Sequence, residues 1–132
     1  MNDSAKRILL VDDNTGDSEA LTRRLQRLGY EVVSVEQGAS PAAAAKDEDI
    51  DVALIDINLP IKEGFRVAED VAASSAARVV FITGLKSPSV RDRAKALGAS
   101  GFIEKPYTSA YLRMQLEHAL AQQRDGTWAK TA

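Results

Sequence analysis

The chain has 132 residues, a net charge of −2, 45% hydrophobic and 27% charged residues, no cysteine and one histidine, His118. That length suits one ordinary domain, and that composition is of a globular protein with a real core rather than a disordered or fibrous one. Disulfides, thiol chemistry and multi-histidine metal sites are excluded, and the charge lacks the basic excess of a domain that binds nucleic acid unaided. Met1 to Arg7 has no apolar run of the kind a signal peptide carries, and no stretch nears the roughly 18 apolar residues of a membrane span. The expectation is a cytoplasmic protein with no direct nucleic-acid or membrane contact.

Short apolar runs recur at residues 8–11, 32–35, 52–55, 79–82 and 101–103, with starts 20 to 27 residues apart. Four of the five are almost continuous rather than alternating, as strands covered on both faces by helices are. Between them, Leu21, Leu25 and Leu28, then Val90, Ala94 and Leu97, then Leu112, Leu116 and Leu120 repeat at helical spacing. Alanine-rich segments near 41–46 and 65–73 complete five helices. Ser40-Pro41 and Ser87-Pro88 each place a capping hydroxyl before a proline at the first turn, while Gly29 and Gly98 fall where left-handed caps end helices. The last helix is expected to end near Arg124 or Asp125, with residues 125–132 a flexible tail containing Trp128. Five β-α units with short loops predict an α/β fold: a doubly wound, five-stranded parallel sheet in a three-layer sandwich, with right-handed crossovers.

Ligands of open α/β sheets bind outside the carboxyl ends of the strands where strand order reverses, between strands 1 and 3 for the order 2-1-3-4-5. Strand 1 runs out into Asp12-Asp13-Asn14 and strand 3 into Asp56-Ile57-Asn58, while strand 4 ends at Thr83-Gly84 and strand 5 at Glu104-Lys105-Pro106. Any one of these is an ordinary turn residue, and Asn14 is read so. Three clustered carboxylates are different, since like charges about 4 Å apart repel by roughly 4 kcal/mol at an effective dielectric near 20. Lys105 offsets one charge. A site of oxygen donors without His or Cys selects a hard cation, Mg2+ or Mn2+, and Mg2+ usually completes its shell with phosphate. Phosphoryl chemistry follows, with a carboxylate as nucleophile and Thr83 and Lys105 as partners for phosphoryl oxygens.

On these residues the chain resembles the receiver domain of two-component response regulators. The resemblance runs from Lys6 to about Gln122 and rests on Val11-Asp12-Asp13-Asn14, on Asp56 followed by Asn58, Pro60 and Gly64, on Thr83-Gly84, and on Phe102 before Lys105-Pro106. It implies a flavodoxin-like receiver fold over 1–124. It implies that Asp56 accepts a phosphoryl group from a sensor histidine kinase or a histidine phosphotransfer protein, the domain catalysing its own phosphorylation and dephosphorylation. Asp13 and Asp56 would bind the metal directly, Asp12 mostly through water and Asn58 through its backbone carbonyl. Thr83 and Phe102 would move together and reshape the face of helix 4, strand 5 and helix 5, and the bond before Pro106 would be cis. Lys62 and Glu63 depart from the family pattern after strand 3, and Phe102 lacks the hydroxyl of the tyrosine often found there.

With about ten residues left after the last helix, a stand-alone domain that signals to a downstream protein is expected, as a monomer or a phosphorylation-dependent dimer. Residues 1–66 hold 13 acidic and 8 basic side chains, a net of −5, against 6 and 9, a net of +3, in residues 67–132. Arg91, Arg93 and Lys95 on the fourth helix with Arg113 on the fifth are read as a partner surface, or else as a solvated face. His118 is assigned to the surface, Tyr111 and Met114 to packing. Three alternatives stay open. A haloacid-dehalogenase-like phosphatase would have Asp-x-Asp-x-Thr, where this chain has Asn14, and would leave Asp56 unexplained. A flavodoxin-like electron carrier would find its phosphate repelled by Asp12, Asp13 and Asp17. The third is a degenerate receiver that acts only as an interaction module.

Overall fold

The computed structural model describes residues 5–12, 15–35, 39–57 and 61–122. Asp13, Asn14, Asn58, Pro60, Trp128 and the whole of 125–132 lie outside the described residues, as does the side chain of Lys62. Five strands, β1 (Arg7–Val11), β2 (Glu31–Ser34), β3 (Val52–Asp56), β4 (Arg78–Thr83) and β5 (Gly101–Glu104), alternate with five helices, α1 (Thr15–Arg27), α2 (Pro41–Asp47), α3 (Ile61–Ser74), α4 (Pro88–Leu97) and α5 (Ser109–Ala121). All neighbouring strands are parallel, in the order β2-β1-β3-β4-β5.

Successive side chains of a strand point to opposite faces, so each continuous apolar run divides between two cores. Leu9, Ala53, Ile55, Val79 and Phe81 pack with Phe65, Ala68 and Val71 of α3 and Val90, Ala94 and Leu97 of α4. Ile8, Leu10, Leu54, Val80, Ile82 and Ile103 face Leu21 and Leu25 of α1 and Leu112, Leu116 and Ala119 of α5. Leu112 and Leu116 are fully buried, and truncating either to alanine would cost about 2–5 kcal/mol.

Helix starts follow the capping chemistry. Ser40, Ser87 and Thr108 accept hydrogen bonds from the backbone N–H of Ala43, Val90 and Tyr111, and Gly98 ends α4 at a φ of 106°. Two boundaries differ from expectation. Helix α3 begins at Ile61, four residues before the apolar spacing becomes readable, and Gly64 lies where an added Cβ would stand 3.4 Å from Ile57 Cγ2. Helix α5 ends at Ala121 rather than near Arg124 or Asp125. Gln122 leaves the helix in an extended conformation because its carbonyl accepts from Arg78 Nε at 2.8 Å and its Nε2 donates to the Ser100 carbonyl at 2.9 Å.

Candidate functional site

Among the described residues the core contains two buried polar side chains, Asp56 and Thr83. Both stand at the carboxyl ends of central strands, β3 and β4. A polar group is kept in a core only when something there partners it, so these two mark the site independently of any motif.

Lys105, just beyond β5, donates from Nζ to Asp56 Oδ2 at 2.7 Å, and its backbone N–H is fixed by the Thr83 carbonyl at 2.8 Å. The Lys105–Pro106 peptide bond is cis. The second carboxylate oxygen, Asp56 Oδ1, is buried and has no hydrogen-bond partner among the described residues. Leaving a buried acceptor unmatched costs about 1–3 kcal/mol, and more when it is charged. Burial of the Lys105 ammonium works to lower its pKa, but the hydrogen bond and charge of Asp56, with the charges of Asp12 and Asp17, outweigh that and raise it. The ammonium is thus held charged in an acidic cleft.

That cleft measures about 170 Å³ and is lined by Asp12, Asp17, Ala20, Leu21, Asp56, Lys105 and Tyr107. The unmatched Asp56 oxygen and a donor set made of carboxylates fit a hard divalent cation. Of the four residues expected to hold it, Asp12 and Asp56 face the cleft, whereas Asp13 and Asn58 lie outside the described residues. Among the described residues no group of three acidic or imidazole side chains is arranged to hold a metal ion.

Thr83 is fully buried, and its hydroxyl is committed: Oγ1 donates to the Ile57 carbonyl at 3.2 Å and accepts from the Leu85 N–H at 3.0 Å. Donation to any ligand on Asp56 therefore requires Oγ1 to leave Ile57 and loosen its hold on the β4–α4 loop. Phe102 is half-buried on β5, at the wall of a groove of about 430 Å³ between α4 and α5.

The four basic residues read as a possible partner surface are spread over more than one face. Arg91 and Lys95 line the α4–α5 groove together with His118 and Tyr111. Arg93 instead stacks over the Phe65 ring at 5.1 Å, toward α3, and Arg113 pairs with Glu117 at 3.3 Å and lies within electrostatic reach of Tyr30, just before β2. Residues 91, 93 and 95 cannot share one face of a helix that turns about 100° per residue. Tyr111 and Met114, expected to pack, are exposed at 37% and 54%.

Sequence reasoning missed Tyr107 and Arg24 in the cleft region, and named Asp17 only as a charge that would repel an electron carrier's phosphate. Asp17 belongs to the first turn of α1, with its Oδ2 4.0 Å from Lys105 Nζ. Tyr107 walls the cleft from the β5–α5 loop. Arg24, two turns along α1 from Asp17, donates to the Tyr107 carbonyl at 3.3 Å and lies over its ring at 5.2 Å. The readable signal was the i, i+4, i+7 series Asp17, Leu21, Arg24, which brings both charged residues to the α1 edge that carries the buried Leu21.

A family model described as "Response regulator receiver domain" matches residues 8–117. The chain is 31% identical over 118 residues to Protein PilH of Pseudomonas aeruginosa, an alignment covering 87% of this chain and 98% of that one. It is 32% identical over 114 residues to a cyclic di-GMP phosphodiesterase of Thermotoga maritima, covering 86% of this chain but only 30% of the relative's length. Among solved structures, a CheY-like response regulator receiver domain protein from Methanospirillum hungatei superposes with a TM-score of 0.75 at 30% identity, over 89% of this chain and 94% of that one. The chain belongs to the response regulator receiver domain family, with the flavodoxin-like order of strands seen above.

Proposed function

We propose that the protein is a phospho-switch: Asp56 accepts a phosphoryl group from a phosphohistidine on a sensor kinase or phosphotransfer protein, and the change at Asp56 alters the α4–β5–α5 face offered to a protein partner. The observation that carries this reading is the state of the Asp56 carboxylate. One oxygen is ion-paired to Lys105 and the other is buried, with no hydrogen-bond partner among the described residues, at a cleft wide enough for a phosphoryl group.

In the transfer, an Asp56 carboxylate oxygen forms the new bond to phosphorus while the P–N bond to imidazole breaks. The imidazole nitrogen keeps the electron pair and takes up a proton. Lys105 stands where it can follow the charge from the carboxylate onto a phosphoryl oxygen, and Thr83 Oγ1 can turn from the Ile57 carbonyl to donate to another. A bound Mg2+ would supply further neutralisation of negative charge, held by Asp12, Asp13, Asp56 and the Asn58 carbonyl. Phosphorylation adds up to about two negative charges and three acceptor oxygens, enough to draw Thr83 inward and open the space into which Phe102 turns. Metal dependence and a cytoplasmic location belong to the same proposal. No described helix is long and apolar enough to cross a membrane.

Incubation with Mg2+ and a small phosphodonor, followed by intact-mass measurement, tests the reading. The wild type should gain one phosphoryl group and Asp56→Asn none. A wild type that gains nothing under any donor leaves the interaction-module alternative in its place.

A further inference from the structure

The described lining of the cleft sets three carboxylates, Asp12, Asp17 and Asp56, against one ammonium, Lys105. Asp12 and Asp56 come from strand ends, at the floor. Asp17 comes from α1, its side chain is 57% exposed, and its Oδ2 stands 4.0 Å from the Lys105 Nζ that Asp56 holds at 2.7 Å.

Two consequences follow for an incoming phosphate. The anion meets the Asp17 charge at the entrance before it reaches Asp56, and the one cation lining the described cleft is already shared by two carboxylates. Both effects grow with the charge of the donor. A small free phosphate has no other contacts with which to offset them. A phosphoryl group carried on a protein imidazole arrives with a docking surface, whose contacts supply binding energy far from the reacting atoms.

We propose that Asp17 is a specificity-determining residue for the phosphodonor: its carboxylate at the cleft mouth selects against small, free, multiply charged phosphates and so reserves Asp56 for a protein-borne phosphoryl group. The inference rests on the phospho-acceptor reading of Asp56.

The test compares wild type, Asp17→Asn and Asp17→Glu in Mg2+ with two small donors, acetyl phosphate and the less negatively charged phosphoramidate, following the phosphoryl mass with time. With acetyl phosphate, the Asp56 oxygen bonds to phosphorus and acetate leaves with the electron pair. With phosphoramidate, the departing nitrogen leaves as ammonia. Asp17→Asn should accelerate modification by acetyl phosphate about ten-fold at low salt and by phosphoramidate distinctly less. Raising ionic strength to about 1 M, where the screening length falls to about 3 Å, should bring both factors toward one. Asp17→Glu should track the wild type. An Asp17→Asn rate within two-fold of wild type for acetyl phosphate, or an acceleration equal for both donors and indifferent to salt, overturns the proposal while leaving Asp56 as acceptor. Absence of any mass gain in all three proteins overturns the acceptor reading and the proposal with it.

Discussion

Arg91 holds its guanidinium 5.6 Å from the centre of the Phe102 ring while pairing with Glu104 on the same strand. The aromatic that the switch would move is therefore clasped from α4 by a residue that is itself anchored. A cation over an aromatic face contributes about 0.5–1 kcal/mol at an exposed site, which is enough to shift a two-state balance several-fold. Arg91→Ala should move the Phe102 ring resonances of the unmodified protein part of the way toward those of protein treated with beryllofluoride, a phosphoryl mimic. Unchanged resonances would remove Arg91 from the switch.

Thr83 links Asp56 to the β4–α4 loop through the Ile57 carbonyl and the Leu85 N–H. Thr83→Ala should therefore cost about 1 kcal/mol of stability and leave phosphorylation of Asp56 possible. It should uncouple Asp56 from Phe102, so that beryllofluoride no longer shifts the Phe102 resonances. Thr83→Ser keeps the hydroxyl and should retain the response. A fully responsive Thr83→Ala would show that another group carries the coupling.

The fold was largely legible because a parallel sheet covered on both faces writes itself as continuous apolar runs, and Ser40-Pro41, Ser87-Pro88 and Gly98 mark helix ends through local chemistry alone. Asp56, Thr83 and Lys105 were legible for a related reason: strand ends at the point where the order reverses are where polar residues gather. Asp17 was legible only as a charge that would repel an electron carrier's phosphate, because its place at Lys105 depends on the approach of α1 to the β5–α5 loop. The end of α5 was likewise hidden. Gln122 is a good helix former, and what stops the helix is its pairing with Arg78 and Ser100, 44 and 22 residues away. That Arg93 and Arg113 lie apart from Arg91 and Lys95 is a matter of helical geometry, which a count of charges ignores.

Lys105 and Asp56 should show strong energetic coupling. Lys105→Met leaves the buried Asp56 carboxylate unmatched and should destabilise the protein by about 1–3 kcal/mol, whereas the same change in an Asp56→Asn background should cost far less. A double-mutant cycle by urea unfolding reads the difference directly. Additive single effects would mean that the 2.7 Å contact contributes little.

Divalent cations should stabilise the fold by relieving repulsion among the strand-end carboxylates. Mg2+ at about 100 times its dissociation constant adds about 2.7 kcal/mol, seen as a rise in Tm that Asp13→Ala or Asp56→Asn reduces or removes. An equal rise in those variants would place the cation elsewhere.

Alkaline titration follows from three groups. Folding raises the pKa of Tyr30 and Tyr107, chiefly through burial, and that of Lys105 through Asp56 and its acidic neighbours against the effect of burial. The folded protein therefore keeps protons that the unfolded chain has begun to release. The resulting stability is complete below the unfolded values of about 10 and is lost as pH rises through the higher folded ones. Tm should hold steady to about pH 9 and fall above about pH 10, less steeply in Tyr107→Phe. A flat profile through about pH 11 would contradict the raised values.

The central claim is that Asp56 is the residue that carries the phosphoryl group. Borohydride reduction of the protein after Mg2+-dependent phosphorylation, followed by peptide mass spectrometry, locates the acyl phosphate, because reduction converts only the phosphorylated aspartate to homoserine. The account predicts homoserine at position 56 and at no other aspartate, lost when Mg2+ is chelated beforehand. Homoserine at position 12, 13 or 17, or none at position 56 in protein that has gained a phosphoryl group, would contradict it.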